Sequence, residues 1–447
     1  MQAGRVLPIA LLGITLVCSG QEPAGAANDV LTLEQAVSQA VESNRSLRIA
    51  DLEVAKAGDR LSAARTRRLP SLDVYLIGSQ LLQPVSFQFP AGAFGDFPAT
   101  GPIPSEDAKI TTPRRLSATI LTRVTQPLSQ LYQIGLGIHQ RRLAQDVDQE
   151  KLRAERQNVV NQVKRAYYAA LETQSGLDAA EQSVRHLREL DRLMGDYVVQ
   201  QVALKSEGLD AKARLAQAEY RELALRNALA SQKEQLNLLL GRDIRTEFEM
   251  SPAAEPGYLE TDLPASQQRA LARRPEIRQA RLQVEQAEYD RRIKKAEYIP
   301  DLSLAFNYVS FTSLDVLPRN LTTLGLQLSW EPFDWGRRKN ELAEKSKALD
   351  QAQTSLREAE ARVLVDVNHQ FRRLAEARAL LRAAQIAQDA DREKLRVVTN
   401  RYGQQAALLQ EVLQAESAVA QASHEYQQAV ASFWTAKADF EKAVGED

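Results

Sequence analysis

The chain has 447 residues and carries 57 Lys and Arg against 58 Asp and Glu, a formal net charge of −1 that excludes a basic nucleic-acid-binding protein. Its single cysteine, Cys18, excludes an intrachain disulfide and a cysteine-based metal site. Aromatic residues are only 6% of the chain, and long stretches are rich in Ala, Gln, Glu, Arg and Leu, a composition that predicts long helices.

The N-terminus has the order of a secretory signal. Arg5 precedes an apolar run over residues 6–17, and small residues follow at 24–27. Residues 1–27 are therefore predicted to be a signal peptide that is removed on export. A valine precedes Cys18, where a lipoprotein signal normally has Gly or Ala, so the sequence favours cleavage without lipidation. No other apolar run is long enough for a spanning helix, so any membrane crossing must use strands.

The rest of the chain consists of two related repeats, 28–241 and 263–447, joined by an inter-repeat segment at 242–262. The first part of each repeat matches at an offset of 230 positions and the second part at an offset of 204. Matching pairs include Leu33 with Leu263, Pro70 with Pro300, Gln200 with Gln404, and Leu209 with Leu413.

The change of offset locates a net insertion in the first repeat. The insertion coincides with residues 84–104, which contain eight Pro or Gly and four Phe. This composition predicts a long loop with neither helix nor regular strand.

Each repeat begins with a capped helix, from Thr32 or Ser38 to Leu69 and from residues 262–266 to Ile299, and a proline follows each helix. Two strands come next in each repeat. The β-hairpins are predicted at 71–126 and 301–331, where apolar and polar residues alternate. The alternation fits a membrane barrel or a half-buried soluble sheet, and by itself it favours the soluble sheet.

Very long helices follow the strands. Residues 338–402 contain no Gly or Pro, and a heptad repeat of Leu342, Leu349, Leu356 and Val363 predicts a coiled-coil seam. A second helix returns in each repeat, over about 206–240 and 410–444, and Gly241 and Gly445 are predicted to end these helices. The tips of the two helical hairpins are then near 200–207 and 404–411.

Four strands per chain cannot close a barrel in lipid, because the edge strands would leave backbone groups unpaired. If the strands span a membrane, three copies would supply twelve strands. The polar face would line the pore and the apolar face would contact lipid. The expected pore-lining residues are Thr323, Gln327 and Ser329, and the expected lipid-facing residues are Leu324, Leu326 and Leu328.

The duplicated plan, the helix ends LPSLDV and IPDLSL, and the starts of the long helices in LTRVTQPL and LQLSWEPFDWGRRKNELAEKSKAL resemble the TolC-like outer membrane factor family. The resemblance covers nearly all of the mature chain. It implies a mainly helical homotrimer with a twelve-stranded barrel in the cell outer membrane and a periplasmic helical tunnel. It also implies an exit duct for tripartite efflux or type I secretion, with a periplasmic adaptor and an inner-membrane pump of the RND, ABC or MFS type as partners.

By the same resemblance, the hairpin tips are where an adaptor would bind. Gln201 and Gln405 stand where the family often has Gly. The resemblance also implies a gate at the tips, but Ala407 stands at the position of the gate arginine. The predicted adaptor contacts are Gln200, Gln201, Val202, Ala203, Leu204, Gln404, Gln405, Ala406, Ala407 and Leu408, and the predicted gate residues are Glu207, Tyr402 and Glu411.

Several features have two interpretations. Glu207 and Glu411 at the tips would form an acidic ring or, alternatively, be solvent-exposed carboxylates favoured by the dipole at the start of each returning helix. Trp330, Phe333 and Trp335 favour an aromatic belt at the membrane interface over core packing. The competing overall interpretation is an exported periplasmic coiled-coil scaffold or adaptor without a barrel.

Catalysis is not expected, and neither a cofactor nor a metal is predicted. The four histidines stand alone at helical positions, without a second ligand at metal-binding spacing. No nucleophile motif or phosphate-binding loop is present. These histidines are His139, His186, His369 and His424.

Overall fold

The computed structural model describes residues 30–446 except 81, 113–115, 202–203, 253–256, 258–261, 312–317, 405 and 408. The predicted signal peptide and the tip residues Val202, Ala203, Gln405 and Leu408 lie outside the described residues. In chain order the elements are β1 (Val30–Leu31), α1 (Leu33–Ser43), α2 (Arg45–Thr66), β2 (Ser71–Gln80), β3 (Val85–Phe89), β4 (Asp96–Phe97), β5 (Gly101–Pro102), β6 (Ala108–Thr112), β7 (Leu116–Pro127), α3 (Gln130–Val199), α4 (Lys205–Leu239), β8 (Glu249–Met250), α5 (Leu263–Arg273), α6 (Pro275–Ala296), β9 (Asp301–Phe311), β10 (Asn320–Ser329), α7 (Arg337–Gly403) and α8 (Leu409–Val444).

The mainly helical fold class, with duplicated helical hairpins and β-hairpins, is confirmed. Helix α3 has 70 residues and α7 has 67, so at 1.5 Å per residue each extends roughly 100 Å. The heptad residue Val363 is buried against α5, α6 and α8, and Leu374, farther along α7, is buried against α8. None of the described helices combines the length and the apolar composition that crossing a membrane would require.

The four long strands form one antiparallel sheet in the order β10-β9-β7-β2. Within it β2 pairs with β7 and β9 pairs with β10. The hairpins of the two repeats join where β7 pairs with β9. The sheet therefore merges both repeats, with β2 at one edge and β10 at the other.

The predicted opening helix of each repeat is wrong in one respect, because the structure has two helices in its place. Thr32 begins α1, and its hydroxyl accepts a hydrogen bond from the Gln35 N–H at 3.2 Å. The break comes at Asn44 in the first repeat and at Arg274, before Pro275, in the second. A proline disfavours the helical conformation in the residue before it, and Asn is a strong N-cap residue. The apolar pattern continues across both breaks and conceals them.

The insertion contains regular strands, contrary to the prediction for residues 84–104. Strand β3 pairs with β6, and β4 with β5 forms a smaller hairpin inside them. The rings of Phe89 and Phe94 pack with their centroids 5.1 Å apart, and the Ala91 N–H donates to the Asp107 carboxylate at 2.9 Å. The insertion therefore has strand pairing and side-chain contacts of its own, which its high Pro and Gly content does not reveal.

The main hydrophobic core lies where α1, α3, the end of α4 and the inter-repeat segment meet. Val163 and Tyr167 of α3 are buried there with Leu236 and Leu240. The Tyr167 hydroxyl lies 2.9 Å from the Leu31 carbonyl oxygen and 2.8 Å from that of Ser251, and burial raises its pKa to about 12. These two hydrogen bonds join the parallel strand pair β1 and β8 to α3.

Candidate channel wall and helical tips

The elements follow the same lateral order at three levels of the molecule. In the sheet the order is β2, β7, β9, β10. In the helical layer next to it, α2 packs on α3, α3 on α6, and α6 on α7. Toward the tips α4 packs on α3, α3 on α8, and α8 on α7. One side of the molecule is therefore made of β2, α2 and α4, and the other side of β10 and α7.

The end helices expose large apolar side chains. Isolated apolar residues are common on protein surfaces, but here they recur on all three end helices. They include Ile49 and Leu52 on α2, Leu209, Tyr220 and Leu223 on α4, and Val365, Leu380 and Ile386 on α7.

Near the end of the sheet from which α3 and α7 leave, one face of the sheet is mainly apolar. The cross-strand register places the apolar residues in rows that run over neighbouring strands. One row is Leu72, Val124, Phe306 and Leu324, and the row nearer the helices has Leu304 and Leu326 beside Gln126. The opposite face carries Thr323 and Gln327, the residues predicted to line a pore.

Farther from the helices the two faces are less distinct than strict alternation predicts. Tyr75, Leu121, Val309 and Leu321 form an apolar row on the same face as Thr323. The alternation in each strand is real, but only the register shows which residues of different strands share a row.

The first hairpin tip turns between Val199 and Lys205. The Gln200 N–H donates to the Asp196 carbonyl at 3.0 Å, and Gln201 has a φ of +58°. Leu204 is 68% exposed, and its N–H donates to the Glu207 carboxylate at 2.9 Å. This contact fits the helix-start interpretation of Glu207, and the acidic ring stays a prediction.

The second tip is held by an arginine that the sequence analysis missed. The Arg401 guanidinium donates to the Ala406 carbonyl at 3.2 Å, and the Ala406 N–H donates to the Arg401 carbonyl at 2.8 Å. The only sequence signal was its position beside Tyr402. Gln404, Tyr402 and Glu411 are exposed, and Ala407 is partly exposed. In the described part of the chain, no hydrogen bond or ion pair joins one tip to the other.

The three aromatic residues predicted at the membrane interface lie on the link between β10 and α7. Trp330, Phe333 and Trp335 are all exposed, Trp335 by 89%. The rings of Phe333 and Trp335 pack edge to face with centroids 4.7 Å apart. Their exposure excludes core packing in the single chain and is consistent with the predicted belt.

The backbone of this link is held by Asp334. Trp335 has a φ of +55°, which is rare for a bulky residue, and Gly336 has a φ of +85°. The Asp334 carboxylate accepts from the Gly336 N–H at 3.0 Å and from the Arg338 N–H at 3.1 Å. The hydrogen bond from the Arg338 backbone is the main cause that lowers the pKa of Asp334 below its usual range. The Asp334 carboxylate thus binds two backbone N–H groups at the start of α7, one before the helix and one in its first turn.

A buried acidic residue in α8 is a further feature that sequence analysis missed. The Asp439 carboxylate accepts from the Asn161 side-chain amide at 3.0 Å. It also lies 3.6 Å from the Arg165 guanidinium and 3.8 Å from that of Arg373. The sole sequence signal for Asp439 was an acidic residue beside Phe440 in a stretch rich in apolar residues. It joins α3, α7 and α8 at one point.

Comparisons with known proteins agree with this geometry. Residues 36–242 and 267–446 match the model of the family described as outer membrane efflux protein. The alkaline protease secretion protein AprF of Pseudomonas aeruginosa is 22% identical over 295 residues, which are 64% of this chain and 61% of that protein. The chain therefore matches less than two thirds of the length of this curated relative.

Solved structures share the fold over nearly the whole chain. The Campylobacter jejuni CmeC outer membrane channel superposes with a TM-score of 0.75 at 14% identity, over 92% of this chain and 85% of that one. A CusC structure, described in terms of transmembrane channel formation, superposes with a TM-score of 0.74 at 17% identity, over 96% of both chains.

Proposed function

The chain belongs to the outer membrane efflux protein family, and we propose from this premise that three copies form an outer-membrane exit duct. The duct passively conducts substrates that an inner-membrane pump and a periplasmic adaptor deliver, in tripartite efflux or in type I secretion. No covalent step is assigned to the protein, because conduction requires only a continuous wall with a polar interior.

The observation that carries this proposal is the common lateral order of the sheet and the two helical layers. An unpaired strand edge in lipid leaves backbone groups without partners, at several kcal/mol for each group. Pairing β10 of one copy with β2 of the next removes both edges. The same step brings α7 of the first copy to α2 and α4 of the second, where exposed apolar side chains lie on both sides. Three copies then close twelve strands and continue directly into a helical tunnel.

The assembly is tested by fractionation and by the mass of the extracted protein. The expected result is an outer-membrane protein that is trimeric by light scattering in mild detergent. A monomer in the periplasmic fraction would support the scaffold interpretation and overturn the duct.

A matched pair of variants tests which sheet face contacts lipid. Leu326→Arg places a charge on the apolar face, at a cost that rises with depth to about 2 to 4 kcal/mol at mid-membrane, whereas Gln327→Arg places the same charge in the pore. The yield of trimer in the outer membrane should fall for Leu326→Arg and stay unchanged for Gln327→Arg. Equal trimer yields would show that the faces have been assigned wrongly.

We propose that the tips at Gln200–Leu204 and Gln404–Leu408 bind the adaptor. Leu204 supports this because it is a large, exposed apolar side chain at an otherwise polar turn. Leu204→Asp combined with Leu408→Asp should abolish export and adaptor crosslinking while trimer yield is unchanged, because buried charge at an apolar contact costs about 2 to 4 kcal/mol.

The control places an aspartate at a neighbouring polar position, where it replaces a lysine. Lys205→Asp, on an exposed side chain of the same turn, should leave crosslinking within about twofold of wild type, since rim charges contribute little to affinity. Normal export by the double Asp variant would exclude the tips as the contact. Equal loss in the Lys205 variant would show that charge, and not the apolar contact, matters.

A further inference from the structure

The pore-facing side of the sheet carries one cross-strand row with both signs of charge. Asp73 on β2 lies opposite Arg123 on β7, Arg123 lies opposite Asn307 on β9, and Asn307 lies opposite Thr323 on β10. We refer to these four residues as the charged row.

The charged row must face the lumen. Arg123 lies within the central part of β7, and a guanidinium at mid-membrane depth on the lipid side costs about 2 to 4 kcal/mol. The adjacent row on the other face is wholly apolar and suited to lipid. That row consists of Leu72, Val124, Phe306 and Leu324.

The two charges of the row do not neutralise each other by direct contact. The Arg123 Nε donates to the Asn307 side-chain oxygen at 3.1 Å, which directs the guanidinium along the row away from β2. In the described part of the chain, no ion pair joins Asp73 to Arg123, and both residues are exposed. The guanidinium therefore retains donors for another group, and the Asp73 carboxylate, on the edge strand β2, does not pair with it within the described residues.

On the same face, the row beyond is apolar. It consists of Tyr75, Leu121, Val309 and Leu321. A molecule that passes along this wall meets an apolar surface and a charged one in adjacent rows.

We propose that the charged row forms a charge-discriminating ring in the barrel, where Arg123 contacts anionic groups of passing substrates and the neighbouring apolar row contacts their apolar parts. This inference rests on the proposed trimer, since only a closed barrel makes the row into a ring. In that ring each Asp73 faces β10 of the next copy, so the three Arg123 side chains alternate with carboxylates. The ring favours amphiphilic anions over cations at Arg123, and Asn307 is the positioning residue that holds the guanidinium.

The test measures the local potential with charged thiol reagents at a cysteine in the row. Thr323→Cys is made in a chain whose own Cys18 is replaced by Ser. The measured ratio is the reaction rate of the introduced cysteine with an anionic methanethiosulfonate divided by its reaction rate with a cationic one. Adding Arg123→Gln should lower this ratio about three- to sixfold, the effect of one unit charge several ångströms away in a partly screened site. Adding Asp73→Asn should raise the ratio.

The controls separate failure of the ring from failure of the duct. Leu324→Cys, one residue away on the lipid face, should not react with either reagent. A Thr323 cysteine that reacts with a ratio unchanged by both charge variants would overturn the ring while the pore stands. If the Thr323 cysteine does not react, the inference fails, and the trimer mass then decides whether the duct fails with it.

Discussion

At the break between its first two helices, each repeat has a side chain that reaches the end of its returning helix, but the two repeats use different chemistry. In the first repeat the Asn44 amide donates to the Leu239 carbonyl at 2.7 Å. In the second the Arg274 guanidinium donates to the Ala443 carbonyl at 3.4 Å and also pairs with Asp366 and Glu276. Asn44 and Arg274 are equivalent at the offset of 230, and the carbonyls are equivalent at the offset of 204.

The backbone of this joint is the same in both repeats. Gly241 and Gly445 end the returning helices with φ values of +72° and +83°, beside Ser43 and Arg273 respectively. Duplication has therefore kept the backbone path and the carbonyl acceptor, while the donor changed from a neutral amide to a charged group with acidic partners. The two joints should consequently respond differently to substitution and to pH.

The largest difference is expected at the two glycines. A Cβ on Gly241 would lie 2.1 Å from the Ser43 carbonyl oxygen, whereas one on Gly445 would lie no closer than 3.2 Å to its neighbours. Gly241→Ala should cost about 3 kcal/mol or more, and Gly445→Ala about 1 kcal/mol, which is mostly the left-handed backbone conformation. Urea unfolding of the detergent-extracted protein measures both.

Gly403→Ala is the control for these variants. No atom lies within 4 Å of its Cβ position, and its φ is not in the left-handed region. It should be neutral or slightly stabilising, because Ala is the better helix former. Similar costs for the Gly241 and Gly445 variants would show that the joints are not packed as described.

The donors should differ by a smaller amount. Arg274→Ala leaves the partly exposed Asp366 and Glu276 without their partner and should cost about 2 to 3 kcal/mol. Asn44→Ala removes an N-cap and one hydrogen bond, at about 1 to 2 kcal/mol. Unfolding free energies measure both, with Arg281→Ala, in an exposed pair with Glu360, as the control at under about 0.5 kcal/mol. An Asn44 effect larger than the Arg274 effect would reverse the comparison.

Only the second joint should weaken in acid. Burial raises the pKa of Glu276, but the hydrogen bond and the charge of Arg274 outweigh it and lower the pKa below 4.5. A carboxyl with a lowered folded pKa contributes stability above its unfolded pKa and loses it as pH falls through the folded value. Thermal unfolding between pH 6 and pH 3 should therefore show a smaller acid loss in Arg274→Met than in wild type. Parallel curves would show that this pair is not coupled to folding.

The smallest effect is expected at the tips. Gln201 has a φ of +58°, whereas Gln404, the counterpart of Gln200, has a φ of −92°, close to the −78° of Gln200. Glycine adopts a left-handed conformation without the strain that glutamine has there. At a position with negative φ, glycine only loses more backbone entropy on folding than glutamine does. Gln201→Gly should therefore be more stable than Gln404→Gly by about 1 kcal/mol in unfolding measurements. The reverse order would mean that the first turn does not hold this conformation in the assembled protein.

The sequence by itself determined those features that depend on neighbours along the chain. The heptads and the absence of Gly and Pro predicted a helix at 338–402, and α7 is Arg337–Gly403. The positions of the strands, the hairpin tips and both terminal glycines also follow from local periodicity and turn chemistry. The internal duplication was visible because two copies of one sequence pattern can be compared without a three-dimensional structure.

Only the tertiary structure decided which distant residues meet. Arg123 and Asn307 are 184 positions apart, and Arg274 is 92 positions from Asp366. No local pattern contains these contacts, since they depend on the order of strands in the sheet and on helices that pack side by side. The break at Asn44 was concealed because the apolar pattern continues across it, and the strands of the insertion were concealed because they pair within a segment rich in Pro and Gly. Local patterns thus specified the elements, and the lateral order that makes a channel wall came from long-range packing.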